Sequence, residues 1–137
     1  MKRRICYGLL LAVLLSLWGT HSALAYQANA FVTRWRGSTA EDSKLRVMGA
    51  DGKLTYYKVT SGTINKVGDE VSLNISDGKK FTTINFKTEA GQEYLVEITG
   101  PKVYAFQVGT PNDFVEVLQW GNIKWQSLSE AFKNCAK

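Results

Sequence analysis

Three carboxylates and five aromatic rings are the side chains of this sequence with the means to do chemistry or hold a ligand. Glu93, Glu97 and Glu116 are the acids, and two carboxylates at a fixed separation are the machinery of glycoside hydrolysis. Trp35, Tyr56, Tyr57, Trp120 and Trp125 are the rings, which can stack on the apolar faces of sugars. Their contexts weaken both readings. Glu93 and Glu97 alternate with Tyr94, Val96 and Ile98, the pattern of a solvated strand face. Tyr56 and Tyr57 are adjacent, so on a strand they point to opposite sides. Trp35 stands between Arg34 and Arg36, where a core role and a ligand-binding role are equally open. Trp35, Tyr56 and Tyr57 are therefore the candidate ligand-binding residues. Trp120 and Trp125 flank a junction between strand and helix and read as structural.

Other chemistry finds no support. There is no Gly-Lys-Ser/Thr phosphate loop and no Asp-rich calcium loop. Asp42, Asp51, Asp69, Asp77 and Asp113 are scattered among turn signals and read as turn formers. No cofactor, metal site or catalytic residue is expected, and the chain reads as a non-enzyme.

The beginning of the sequence sharpens these exclusions. "MKRRICYGLLLAVLLSLWGTHSALA" has a basic start, an apolar stretch from Ile5 to Trp18, and Ala23-Leu24-Ala25 as a cleavage site, which is the pattern of a signal peptide over residues 1–25. A second small-residue site, Ala28-Asn29-Ala30, follows closely. The apolar stretch is short for a membrane span, so no stable span is expected after cleavage. The charge of +5 includes Lys2, Arg3 and Arg4 and no leader acid. Cleavage therefore leaves 17 − 3 = 14 basic against 12 acidic residues, too even a balance for nucleic-acid binding. His21 is the only histidine, so its loss rules out Ser-His-Asp and Cys-His nucleophiles. Cys6 leaves too, and Cys135 remains without an intrachain partner. The exported product is expected in the periplasm, at the cell surface or secreted.

The elements that must position these residues are strands. "EVSLNIS" places Val71, Leu73 and Ile75 on one face, "EYLVEITG" does so with Tyr94, Val96 and Ile98, and "KVYAFQVG" with Tyr104, Phe106 and Val108. "FVTRWR", "KLRVM", "KLTYYKVT" and "FTTINFK" are less regular runs rich in β-formers. Asp51-Gly52 and Asp77-Gly78 read as hairpin turns, and Gly62, Gly68, Gly91, Gly100 and Gly109 mark further breaks. Roughly seven or eight short strands predict an all-β, antiparallel sandwich. The end differs: Ser127-Leu128-Ser129-Glu130 is a capping box, predicting a short C-terminal helix with Leu128, Ala131 and Phe132 on one face.

That end also carries a resemblance. "LQWGNIKWQSLSEAFKNC" resembles the start of the repeat array in bacterial BspA-like leucine-rich-repeat surface proteins. "DGKKFTTINFKTEAGQEYLVEITG" is similar to the second half of PKD-type, immunoglobulin-like domains, which often precede such repeats. The resemblance implies an immunoglobulin-like sandwich over 26–111 and a partial repeat start, strand plus short helix, over 112–137. The repeats themselves are missing, so the tail is expected to be the stub of an array. Cys135 is then an interior side chain, as in the resembled repeats, with an intermolecular disulfide as its alternative. The implied function is a non-catalytic surface module, serving adhesion or capping a binding array, its partner a host or cell-surface protein or glycan. A small carbohydrate-binding module is the alternative.

Overall fold

Wherever β-branched and aromatic residues recur with period two, the chain is extended. The computed structural model describes residues 26–39, 41–73 and 80–135; the expected signal peptide, Ile75 and the Asp77-Gly78 turn lie outside them. Eight strands follow in order: β1 (Phe31–Arg36), β2 (Ser43–Ala50), β3 (Gly52–Thr60), β4 (Thr63–Leu73), β5 (Thr82–Phe86), β6 (Glu93–Thr99), β7 (Lys102–Val108) and β8 (Phe114–Gln119). They form a five-stranded sheet in the order β4-β3-β6-β1-β8 and a three-stranded sheet in the order β5-β2-β7. All the strand pairs are antiparallel. The expected all-β, antiparallel class is thus the class observed.

The two sheets face each other across a shared core. Phe31 of one meets Phe106 of the other edge to face at 5.1 Å, and Trp35 meets Phe86 in the same way. Leu45, Val47, Leu54, Val96, Ile98 and Val103 fill the rest. The chain changes sheets at every connection except β3–β4. That changes the meaning of Asp51-Gly52, expected as a hairpin turn. Asp51 alone separates β2 from β3, which starts at Gly52 in the other sheet, so the pair forms a corner and not a hairpin. A Cβ on Gly100, in the β6–β7 corner, would lie 2.6 Å from the Cα of Gly52. The two corners touch backbone to backbone and leave no room for a side chain.

Among the described residues, the one hairpin turns at Ser61-Gly62, both with positive φ, between the paired residues Thr60 and Thr63. Two left-handed residues in a two-residue loop are what the right-handed twist of paired strands favours. The strand it opens, β4, begins well before the expected "EVSLNIS". It is a border strand, so only Leu73 is buried and Val71 stays exposed. In β7 the expected inward position of Tyr104 is taken by Val103. A register shift between Met48 and Gly49 on β2 skips Tyr104, and Val103 rather than Tyr104 joins the core.

The C-terminal helix does not form. Ala131, Lys133 and Cys135 donate to Leu128, Glu130 and Phe132, each three residues back. Glu130 and Asn134 sit at positive φ, which an α-helix excludes. The carbonyl of Ala131, which a helix would offer to Cys135, accepts instead from Val108 of β7 at 2.8 Å. Ser127 accepts at its hydroxyl from Ser129 and not from Glu130, so the capping box is unmade. Gln126 and Ser127 donate to the carbonyl of Tyr104, and Ser127 bridges Ala105 in parallel. The tail is thereby stitched along β7, the border of the smaller sheet. The expected set of Leu128, Ala131 and Phe132 nevertheless turns to one side: Ala131 is buried and the other two pack on the core.

Candidate functional site

The aromatic residues proposed for ligand contact do not form a platform. Trp35 is fully buried, wedged between Phe86 at 5.1 Å and Phe114 at 5.4 Å, both edge to face. Its indole N–H donates to Thr33 Oγ1 at 2.8 Å, so even its polar atom is spent inside. Tyr56 points to the same core and packs on Phe86. Tyr57 points to the opposite face of the sheet, as adjacent residues on a strand must, and is half-buried there. The three are split between two faces.

The two later tryptophans differ from each other. Trp125 packs against Phe31 at 4.9 Å and Phe106 at 6.5 Å. Trp120 rests on Phe31 at 5.5 Å and meets Phe132 at 6.3 Å, yet remains 49 % exposed. Val115 and Leu118 are also large exposed apolar residues. The pairing of β8 with β1 slips at two places, between Val32 and Thr33 and between Arg34 and Trp35. Leu118 and Val115 are the residues skipped there, and a bulged residue is turned away from the regular pleat. The sequence carries no signal for these two bulges. Cys135 is half-buried, its Sγ near the Lys133 carbonyl at 3.8 Å, and burial pushes its thiol up from the ordinary value.

The three acids have separate settings. Glu116 is paired with Arg34 at 3.0 Å. Glu93 lines an open groove of about 480 Å³ with Arg34, Arg36, Ser38, Asn112 and Val115. Glu97, expected on a solvated face, is only 5 % exposed. It lies on the outer face of β6, between Thr55 of β3 and Val32 of β1. The segment Tyr26–Ala30 folds over that face, and Glu97 Oε2 accepts the backbone N–H of Gln27 at 3.0 Å. Burial is the main cause that raises its carboxyl above the ordinary range; the Gln27 bond opposes this and the charge of Glu70 adds to it. Tyr57 beside it is raised first by burial and then by Glu97 and Glu70.

Sequence reasoning also missed Asp113, taken for a turn former. It is 3 % exposed and accepts from the Ser38 N–H at 3.0 Å, from the Ser38 hydroxyl, and from the Ser43 hydroxyl at 2.6 Å. With the Ser43 proton given to Asp113, the single Thr88 hydroxyl proton serves Ser43 Oγ at 3.0 Å or the Glu41 carbonyl at 3.2 Å. This network joins three connections at one end of the molecule. Among the described residues, no group of His, Cys, Asp and Glu is placed to hold a metal ion, and no helix is long and apolar enough to cross a membrane.

Fold and surface together define an all-β protein of two facing antiparallel sheets, most of its aromatic rings turned inward. No family model, curated protein or solved structure matches the chain.

Proposed function

We propose that this is an exported, non-catalytic module of a bacterial cell surface, serving adhesion or spacing and capping a longer binding assembly. One observation carries the reading: Trp35, Glu97 and Glu116, among the side chains that chemistry would use, are engaged within the fold, while apolar residues are held at the surface along one border. Trp35 is spent in the core, Glu116 on Arg34, and Glu97 beneath the N-terminal segment. Val115, Leu118 and Trp120 remain exposed on or next to β8. Three large apolar residues left exposed within six positions of one border strand support an interaction surface there. Export rests on the leader-like residues 1–25.

Immunoglobulin-like topology has support in the central strands. β2 pairs with β5 in one sheet and β3 with β6 in the other, the interlocking found at the heart of that sandwich. Beyond those four the order departs, since β1 stands beside β6 where the last strand of that fold would stand. The likeness to a BspA-like repeat start remains one of sequence, and here that sequence is used to border a sheet.

A carbohydrate-binding role is the second reading, and Trp120 is the observation that favours it. Its indole is half exposed and fixed from behind by Phe31 and Phe132, so stacking a sugar would freeze few further rotamers. A glycan array and an adherence assay on host cells, run with the intact chain and Trp120→Ala, separate these. Glycan binding lost in the variant supports the carbohydrate reading, and adherence without glycan binding supports a protein partner. Absence of both overturns the adhesive role and leaves the spacer.

A further inference from the structure

Glu97 lacks something that a buried carboxylate needs. A desolvated charge is costly unless paired, and among the described residues no Lys or Arg lies within ion-pair distance of it. The titratable groups nearby make matters worse. On β4, Glu70 is a second negative charge, its carboxylate shared with Lys53 of β3 at 3.1 Å. On β3, Tyr57 is a neutral phenol. On β1, the neighbour across is Val32, and Arg34 one step along is turned to Glu116. Among the described residues, the donor to Glu97 is the backbone N–H of Gln27.

The segment carrying that donor is held in place independently. Gln119 Nε2 donates to the carbonyls of Gln27 at 2.8 Å, Ala28 at 3.1 Å and Ala30 at 2.8 Å. Asn122 donates to the carbonyl of Asn29 at 3.0 Å, and Ala30 closes a turn onto Gln27. Residues 26–30 therefore form a strap of fixed course over the sheet, with Ala30 itself fully buried.

Covalent geometry then locates the next nitrogen. The backbone nitrogens of adjacent residues are at most about 3.7 Å apart. With Gln27 N at 3.0 Å from Glu97 Oε2, the nitrogen of Tyr26 lies within about 7 Å of that oxygen. As a peptide nitrogen it is neutral. As the first nitrogen of a processed chain it would be an ammonium, free to turn about the Tyr26 backbone bonds toward the carboxylate.

We propose that Glu97 is the binding site for the amino terminus released by cleavage between Ala25 and Tyr26, so that processing supplies the missing cation and locks the strap onto the sheet. The inference rests on the export reading above and goes further, because it discriminates between the two small-residue sites. Cleavage after Ala30 would discard the strap, strip Gln119 of its three acceptors and remove the Gln27 N–H from Glu97. Hydrolysis of the Ala25–Tyr26 bond by water leaves a carboxylate on the departing leader and the ammonium on Tyr26.

The test uses the chain secreted by a bacterial host from the full-length gene, with Glu97→Gln beside it. Intact mass gives the cut. The α-amine is then dimethylated with carbon-13 formaldehyde and its NMR signal titrated, a modification that keeps the positive charge. A start at Tyr26, with an α-amino pKa above the ordinary 7.7–8.0 that returns to that range in Glu97→Gln, is the expected result. A start at Tyr26 with an ordinary pKa in both chains overturns the inference and leaves export standing. A start at Phe31 does the same. An uncut chain overturns both.

Discussion

At the scale of single residues, Trp35 and Glu97 show how far side-chain type can mislead about role. Trp35 had the composition of a ligand contact, flanked by two arginines, yet those arginines mark the other face of the strand. Period two puts Arg34 and Arg36 outside as surely as it puts Trp35 inside. Removing its ring would leave a large cavity between Phe86 and Phe114, and Trp-to-Ala changes in cores cost about 3–5 kcal/mol. Urea unfolding of Trp35→Ala is expected to show a loss of that size, and a near-neutral result would contradict its buried placement. For Glu97 the sign follows from burial. While Tyr26 is still joined to Ala25, the folded carboxyl lies above its ordinary value of 4.5. The folded state then holds this proton more tightly than the unfolded chain does. The resulting stability is complete below about pH 4.5 and is lost as pH rises through the folded value. Melting temperatures of the unprocessed chain and its Glu97→Gln form are expected to diverge over that rise, the variant becoming relatively more stable toward neutral pH. A difference independent of pH would remove burial as the cause. Neither placement conflicts with the alternation seen in the sequence. What alternation cannot state is that the strap covers the outer face.

At the scale of elements, the strands were legible and their partners were not. Seven runs of β-formers became β1, β2, β3, the end of β4, β5, β6 and β7, because a pleated, half-buried strand leaves a period-two trace in the sequence. Pairing leaves none, and Asp-Gly signals a tight turn without saying whether the chain stays in its sheet. Asp51-Gly52 therefore serves as a corner, while the true hairpin turns at Ser61-Gly62, marked beforehand only as a break. That turn offers a clean measurement. Gly62 has φ near 77° and nothing within 4 Å of a built Cβ, so Gly62→Ala adds no clash. The expected cost is that of a left-handed conformation alone, about 1–2 kcal/mol, read by denaturant unfolding with an unchanged slope. A change of slope would instead indicate that the hairpin opens. The C-terminal segment failed as a helix for a related reason. Its capping box is a local signal, but two turns of helix are marginal without support, and the unpaired border of β7 outbid the helix for the Ala131 carbonyl.

At the scale of the molecule, that border gives the residues beyond β8 a place in the fold. β7 ends the three-stranded sheet, and an unpaired border strand invites association with other chains. Residues 126–131 occupy it through the donors of Gln126, Ser127 and Val108. The same segment brings Trp125, Leu128, Ala131 and Phe132 against Phe31, Phe106 and Phe114, plugging the side of the sandwich between β7 and β8. A chain ending at Gln119 would lose both the pairing and the plug, and would expose Phe31 and Phe106 beside an open strand. It is expected to melt at a lower temperature than the chain ending at Lys137 and to scatter light on heating, where the longer chain stays monomeric. Equal melting of the two as monomers would make the segment a dispensable appendage, as a stub of repeats would be. The lower melt would mean that a sequence resembling the start of a repeat array works here as the last border of the sandwich. In that case the terminal segment must be retained in any binding assay on Val115, Leu118 and Trp120.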